Sequence, residues 1–116
     1  MSHAYEIPGT RITLTPNADF SDKRYTAVKP DASAGMVACP AGEMAVGILQ
    51  TPGIAGEPCA VMVTGVTLVT FGDTVAVGDA VEVGTDGKVI KANTGKIIGV
   101  CLVGGAADQL GTICLK

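Results

Sequence analysis

The chain has 116 residues, the length of one domain, and 47% of them are hydrophobic while 16% are charged. Its formal net charge is −3, which excludes the dense basic face that nucleic-acid binding requires. The high hydrophobicity and low charge also exclude an intrinsically disordered chain. With sixteen glycines and four aromatic residues, the composition favours short strands and tight turns over long helices.

The chain begins with a segment, residues 1–10, that we predict to be an extended N-terminal arm. Pro8-Gly9 disfavours a helix, and the segment has no hydrophobic periodicity. Residues 11–116 are predicted to form a single β domain. Its strands recur at a spacing of roughly 8–12 residues, which is typical of a sandwich or barrel. The predicted strands are 11–15, 25–29, 36–39, 45–50, 59–63, 66–71, 80–83, 88–91, 97–103 and 112–115.

The connections between these strands carry clear turn signals. Thr85-Asp86-Gly87 predicts a tight turn, because Asp-Gly suits positions with positive φ. The run from 59 to 71 is apolar on both faces and predicts burial on both sides. A helical turn is expected within 104–110.

The sequence contains a weak internal repeat, which we call the internal echo. When the sequence is shifted by 52 residues, 35–63 aligns with 87–115 without a gap. The strand–turn–strand rhythm is shared more than residue identity is. This pattern predicts a compact, pseudo-duplicated β domain. Identical residues in this alignment include Gly35 and Gly87, Val37 and Val89, Gly47 and Gly99, and Ala55 and Ala107.

The four cysteines are candidates for metal ligands or disulfide partners. They lack the close C-x-x-C spacing of zinc sites, and no secretory signal favours a disulfide framework. In the internal alignment Cys101 lies on Leu49 and Cys114 on Met62, which favours core positions. A Cys39–Cys59 disulfide remains open at this point.

Features that would indicate catalysis are sparse. His3 is the only histidine, and it lies in the predicted arm, a poor place for a preorganised base. The carboxylates are scattered and lie mostly in turns, and no glycine-rich segment has the spacing of a phosphate-binding loop. We therefore expect no enzyme activity, no cofactor and no metal.

No targeting signal is evident. The first residues lack the basic start and apolar core of a signal peptide, and no stretch is apolar enough to span a membrane as a helix. The expected place of synthesis is a bacterial cytoplasm, with no membrane partner.

The order of several segments resembles the small capsid decoration, or cement, proteins of tailed bacteriophages, over roughly residues 5–115. These segments are an N-terminal arm, a strand before a Pro/Gly loop, an apolar hairpin, a second hairpin and a segment that precedes the last strand. They are His3 to Pro8, Val46 to Gln50, Gly56-Glu57, Ala60 to Val66, Val77 to Val83, Asp86 to Val89, and Ile98 to Val100.

The resemblance implies an all-β barrel or sandwich, clustered as a homotrimer, that binds the outside of the expanded phage head. Such proteins bridge major capsid protein subunits and bring no catalytic residues. Their N-terminal arm commonly lies on the capsid. The candidate contact residues are therefore Ser2, His3, Ala4, Tyr5, Glu6, Ile7, Pro8, Gly9 and Thr10.

Two alternatives remain open from the sequence. The chain could be another β-rich virion component, such as a head fibre base or a tail part. It could also be a carbohydrate-binding display module, although sugar sites usually need a stacking aromatic side chain.

Overall fold

The chain folds into two antiparallel β-sheets, as the turn-rich composition predicts. The computed structural model describes residues 5–33 and 35–115. In these residues the helical structure is one 3-10 turn, Thr85–Gly87, which is far too short to cross a membrane. The strands are β1 (Ile7–Pro8), β2 (Arg11–Leu14), β3 (Ala27–Asp31), β4 (Gly35–Ala38), β5 (Gly47–Leu49), β6 (Cys59–Met62), β7 (Gly65–Thr70), β8 (Ala80–Val83), β9 (Val89–Lys91), β10 (Gly99–Val103) and β11 (Leu110–Leu115).

The two sheets divide the strands between the first and second parts of the chain. Sheet A has the order β1-β7-β11-β10-β8-β9, and sheet B has the order β2-β6-β5-β3-β4. If β1 is set aside, both sheets repeat one order: β7, β11, β10, β8 and β9 correspond to β2, β6, β5, β3 and β4. The chain passes from sheet B to sheet A between β6 and β7.

The strand register repeats along with the order. In sheet B, Ile48 pairs with Met62 and Leu49 with Val61. In sheet A, the residues 52 positions later form the same pairs, Val100 with Cys114 and Cys101 with Ile113. The shared order and register favour the pseudo-duplicated unit, which stays a prediction about the origin of the two halves.

Two glycine pairs of the internal echo have a common backbone reason. Gly35 and Gly87 both have φ of +75°, a conformation that side chains disfavour. A Cβ on Gly47 would overlap the Met62 carbonyl oxygen, and a Cβ on Gly99 would overlap that of Cys114. The same close approach therefore requires glycine at the same place in both sheets.

The main core is shared by both sheets and consists of aliphatic side chains, two cysteines and Phe71. Sheet B contributes Ala27 and Ile48, while Val69, Cys101 and Ile113 come from sheet A. A second core lies on the other face of sheet B, where Phe20 packs with Leu49 and Val61. Phe20 lies in the segment before β3, and its amide donates to the Gly53 carbonyl at 2.7 Å.

Most of the predicted strands are present, with boundaries shifted by one or two residues. The turn at Asp86-Gly87 is confirmed, and Asp86 has φ of +61°. The helical turn expected within 104–110 is wrong. Gly105 there forms a bridge with Val75, and Asp108 with φ of +64° turns the chain into β11. The run from 59 to 71 is buried on both faces in β6 except at Ala60, but β7 alternates between buried and half-buried residues.

Candidate functional site

The candidate contact segment lies at one edge of the two sheets. Ser2, His3 and Ala4 lie outside the described residues. Ile7 and Pro8 pair with β7, Thr10 lies beside Val63 and Thr64, and β2 continues in the same direction along β6.

The N-terminal strands form one continuous ladder that spans both sheets. Ile7 pairs with Val66 and Pro8 with Gly65 in sheet A. The pairing then continues in sheet B, from Arg11–Met62 to Leu14–Cys59. The described part of the predicted arm is thus extended, and it pairs with the chain's own sheet.

The ladder bends where Gly9 lies against Gly65. A Cβ on Gly65 would stand 2.5 Å from the Gly9 nitrogen, and Gly65 has φ of +111°. Beside this crossing, the Thr10 amide donates to Thr64 Oγ1 at 3.0 Å, and the Val63 amide donates to the Thr10 carbonyl at 2.9 Å. Two glycines in contact allow the N-terminal segment to pass from one sheet to the other without losing its pairing.

Tyr5 is held by a single buried hydroxyl. The Tyr5 amide donates to Thr112 Oγ1 at 2.8 Å, and this hydroxyl donates to the Tyr5 carbonyl at 2.9 Å. Thr112 is fully buried in β11. One side chain therefore satisfies both backbone polar groups of Tyr5, at the start of the described chain.

Glu6 belongs to a polar cluster at the same edge. Its Oε1 accepts from Thr67 Oγ1 at 3.1 Å and from the Leu68 amide at 3.2 Å. Gln50 Nε2 donates to Thr67 Oγ1 at 2.8 Å and to the Ile48 carbonyl at 3.1 Å. Because Thr67 and Gln50 are buried, these bonds supply the partners that burial demands.

The edge also exposes apolar side chains. Tyr5 is 45% exposed, Ile7 61% and Ile12 36%. β1 and β2 are the terminal strands of their sheets. The edge therefore offers a partner both apolar side chains and the free side of a strand.

Sequence reasoning placed the contact residues in segment 2–10 and missed the neighbours that hold them. Thr112 and Thr67 are buried threonines in otherwise apolar strands, which is the signal that could have pointed to them. The continuation of the edge into β2 was also missed. The sequence predicted a strand at 11–15 but not its place beside the arm.

Three of the four cysteines, Cys39, Cys59 and Cys101, are buried in the two cores. All four are free thiols, including Cys39 and Cys59, whose pairing the sequence left open. Burial raises the pKa of Cys39, Cys59 and Cys101, so these thiols are less reactive than an exposed one. Within 5–33 and 35–115, no group of three or more His, Cys, Asp or Glu side chains is placed to hold a metal ion.

Comparisons with known proteins agree with this all-β architecture. A family model described as phage cement protein matches residues 8–115. Among solved structures, the head fiber gp8.5 N base of bacteriophage phi29 is similar, with a TM-score of 0.73 and 14% sequence identity. The match covers 92% of this chain and 93% of that chain. No curated protein sequence matches this one.

Proposed function

Because the chain belongs to the phage cement protein family, we propose that it binds the outer surface of the expanded capsid and bridges major capsid subunits. The observation that carries this proposal is the family match, which extends over almost the whole chain. In this role the protein is a structural part of the virion without enzyme activity. It is made in the cytoplasm of the bacterial host and acts on the particle as a homotrimer.

The contact segment in this proposal is the N-terminal edge, Ser2 to Thr10. Its described part presents Tyr5 and Ile7 to solvent beside the unpaired side of a terminal strand. An edge of this kind can add to a sheet of a partner through main-chain hydrogen bonds, while side chains such as Ile7 fill pockets.

Weak single contacts suffice for such a protein. A capsid offers many identical sites, and an assembly of several copies binds them together, so avidity raises the overall affinity. A protein that binds the expanded shell but not its open or unexpanded forms stabilises the shell by mass action. Such a role needs exposed contact residues on a folded domain, and the exposure of Tyr5 and Ile7 supports it.

The test is the heat stability of expanded heads that lack the protein. Added wild-type protein is expected to raise the temperature at which the heads rupture. Ile7→Glu places a charge at the contact edge and is expected to lose this effect. The matched control is Ile54→Glu, because Ile54 is 52% exposed in the loop between β5 and β6. Equal protection by both variants would remove the N-terminal edge from the contact, and no protection by wild type would overturn the cement role.

A second candidate function is a head fibre base, which the fold similarity to the phi29 head fiber N base favours. A fibre base would occupy a small number of sites and carry a projecting structure. Electron microscopy of decorated heads distinguishes the two roles, since a cement protein covers the lattice uniformly.

The carbohydrate-binding alternative has less support. Phe20 and Phe71 are buried, and Tyr25 packs against the core with the Arg24 guanidinium 4.6 Å from its ring centroid. Among the four aromatic side chains, Tyr5 is thus the one left exposed to stack on a sugar.

A further inference from the structure

The outward face of sheet A carries a continuous row of apolar residues. In-register pairs connect Ile7 to Val66, Val66 to Cys114, Cys114 to Val100, and Val100 to Ala80. Directly paired residues of antiparallel strands project from the same face. We call these five residues, one from each of five adjacent strands, the open row.

The open row faces away from the core. Along the same strands, the neighbouring positions Thr67, Ile113 and Cys101 are fully buried on the opposite face. In the open row, Ile7 is 61% exposed, and the other four are partly exposed. Leu110, 44% exposed, extends this apolar surface at the Thr70 pair.

The outward side of an antiparallel sheet is ordinarily polar, because it faces water while the other side packs on the core. None of the five open-row residues is charged, and none has a hydroxyl or amide side chain. A row of this composition across five strands is typical of a surface that another protein covers.

The repeated topology shows how such a row is covered elsewhere in the molecule. The corresponding row of sheet B consists of Ala27, Ile48, Met62 and Arg11, which form successive register pairs. Ala27, Ile48 and Met62 are fully buried, and Ala27 and Ile48 pack in the main core with residues of sheet A, whereas Arg11 at the outer strand is exposed. In one half of the molecule the row is covered by the chain itself, and in the other half it is open.

We infer that four residues of the open row, Val66, Cys114, Val100 and Ala80, form the contact between copies of this chain, while Ile7 at the end of the row belongs to the capsid-contact edge. An uncharged, apolar patch is characteristic of contacts between identical subunits, whereas contacts between proteins that also exist separately are more polar. Each copy carries a net charge of −3, and an uncharged row lets two copies meet without placing like charges opposite each other. The inference deepens the proposed function, on which it rests for the assembled form that binds the shell.

The test uses two measurements across a dilution series of the purified full chain. Light scattering gives its mass, and reaction with iodoacetamide gives the extent of alkylation at each cysteine. Wild type is expected to be an assembly of copies at high concentration, with Cys114 protected from iodoacetamide. Dilution should release monomers and expose Cys114, while Cys39, Cys59 and Cys101 stay buried. Val100→Glu, between Cys114 and Ala80 in the row, should be monomeric, whereas the control Ile54→Glu should assemble like wild type.

Three outcomes would overturn the inference. The first is a wild-type chain that stays monomeric at every concentration. The second is a folded Val100→Glu variant that assembles like wild type. In the third, wild type is monomeric in solution and Cys114 becomes protected only on expanded heads. That result would assign the open row to the capsid protein and leave the proposed function standing. If Val100→Glu does not fold, the concentration dependence of Cys114 alkylation in wild type decides alone.

Discussion

Gly9 and Gly65 touch where the N-terminal segment crosses from sheet A to sheet B, so neither can carry a side chain without displacing the other. A Cβ on Gly65 would stand 2.5 Å from the nitrogen of Gly9 and 2.9 Å from its Cα. This contact lets β1 and β2 follow β7 and β6 as one ladder. The position of the proposed capsid-contact edge therefore depends on two glycines that are far apart in sequence.

Gly65→Ala is expected to destabilise the protein by about 3 kcal/mol, from backbone strain together with the clash. The control is Gly56→Ala, since Gly56 also has positive φ, +85°, but an added Cβ there meets nothing within 4 Å. Conformation alone should cost the control about 1–2 kcal/mol. Urea unfolding of both variants measures the difference. Equal losses would mean that the contact with Gly9 is unimportant.

Thr112→Val should loosen the start of the chain while leaving most of the fold intact. It removes the hydroxyl that bonds the amide and carbonyl of Tyr5 but keeps a similar volume. The expected cost is about 1–3 kcal/mol, because two backbone polar groups lose their partner. Hydrogen exchange should be faster at the Tyr5 amide and unchanged at the amides of β10. Unchanged exchange at Tyr5 would contradict the assigned bonds.

Because burial raises the pKa of three thiols, we expect the folded protein to lose stability at alkaline pH. Burial raises the pKa of Cys101 above its ordinary value of 9.0, so the unfolded chain releases this proton at lower pH than the folded chain does. The contribution to stability is complete below pH 9 and is lost as the pH rises through the folded pKa.

Urea unfolding from about pH 8 to about pH 10 should therefore show a steeper decline for wild type than for Cys101→Ala. The substitution also lowers stability at all pH values, because it leaves a small cavity. The comparison concerns the slope alone, to which that constant loss does not contribute. Parallel curves would contradict the assignment.

Ile7→Glu should weaken binding to expanded heads without changing the fold. Ile7 is the most exposed apolar side chain of the contact edge, so its replacement costs little internal packing. A loss of at least about tenfold in affinity, equivalent to about 1.4 kcal/mol, is expected if its side chain enters a capsid pocket. Sedimentation with a dilution series measures this, and wild-type affinity would remove Ile7 from the contact.

Local patterns predicted most of the sheet residues correctly. Alternation and apolar runs found the strands, and Asp86-Gly87 marked a turn that needs positive φ. The glycines of the internal echo also had a physical cause, since Gly47 and Gly99 both lie against a carbonyl of the neighbouring strand.

Features that depend on distant partners could not be predicted. Phe20 lies between the predicted strands 11–15 and 25–29, where no local pattern indicates burial, but it covers sheet B because the outer face of that sheet is apolar. Tyr25 has φ of +66° and donates its amide to Leu49, while Gly78, with φ of +90°, makes the matching bond to Cys101 in sheet A. No local signal distinguishes a tyrosine that must take the conformation of a glycine.

In the candidate site, too, the local segment could be predicted from the sequence but its distant neighbours could not. The resemblance to cement proteins indicated the N-terminal segment, but its neighbours Thr112 and Gly65 are brought beside it by tertiary structure alone. The open row likewise requires the register of five strands, which no single stretch of sequence contains.

The most direct test of the central claim is co-sedimentation of the purified protein with expanded phage heads that lack it, beside unexpanded proheads. Saturable binding to expanded heads alone, at a fixed number of copies per capsid subunit, is the predicted result. Absence of binding to expanded heads, or equal binding to both shells, would contradict the proposal that this chain cements the expanded capsid.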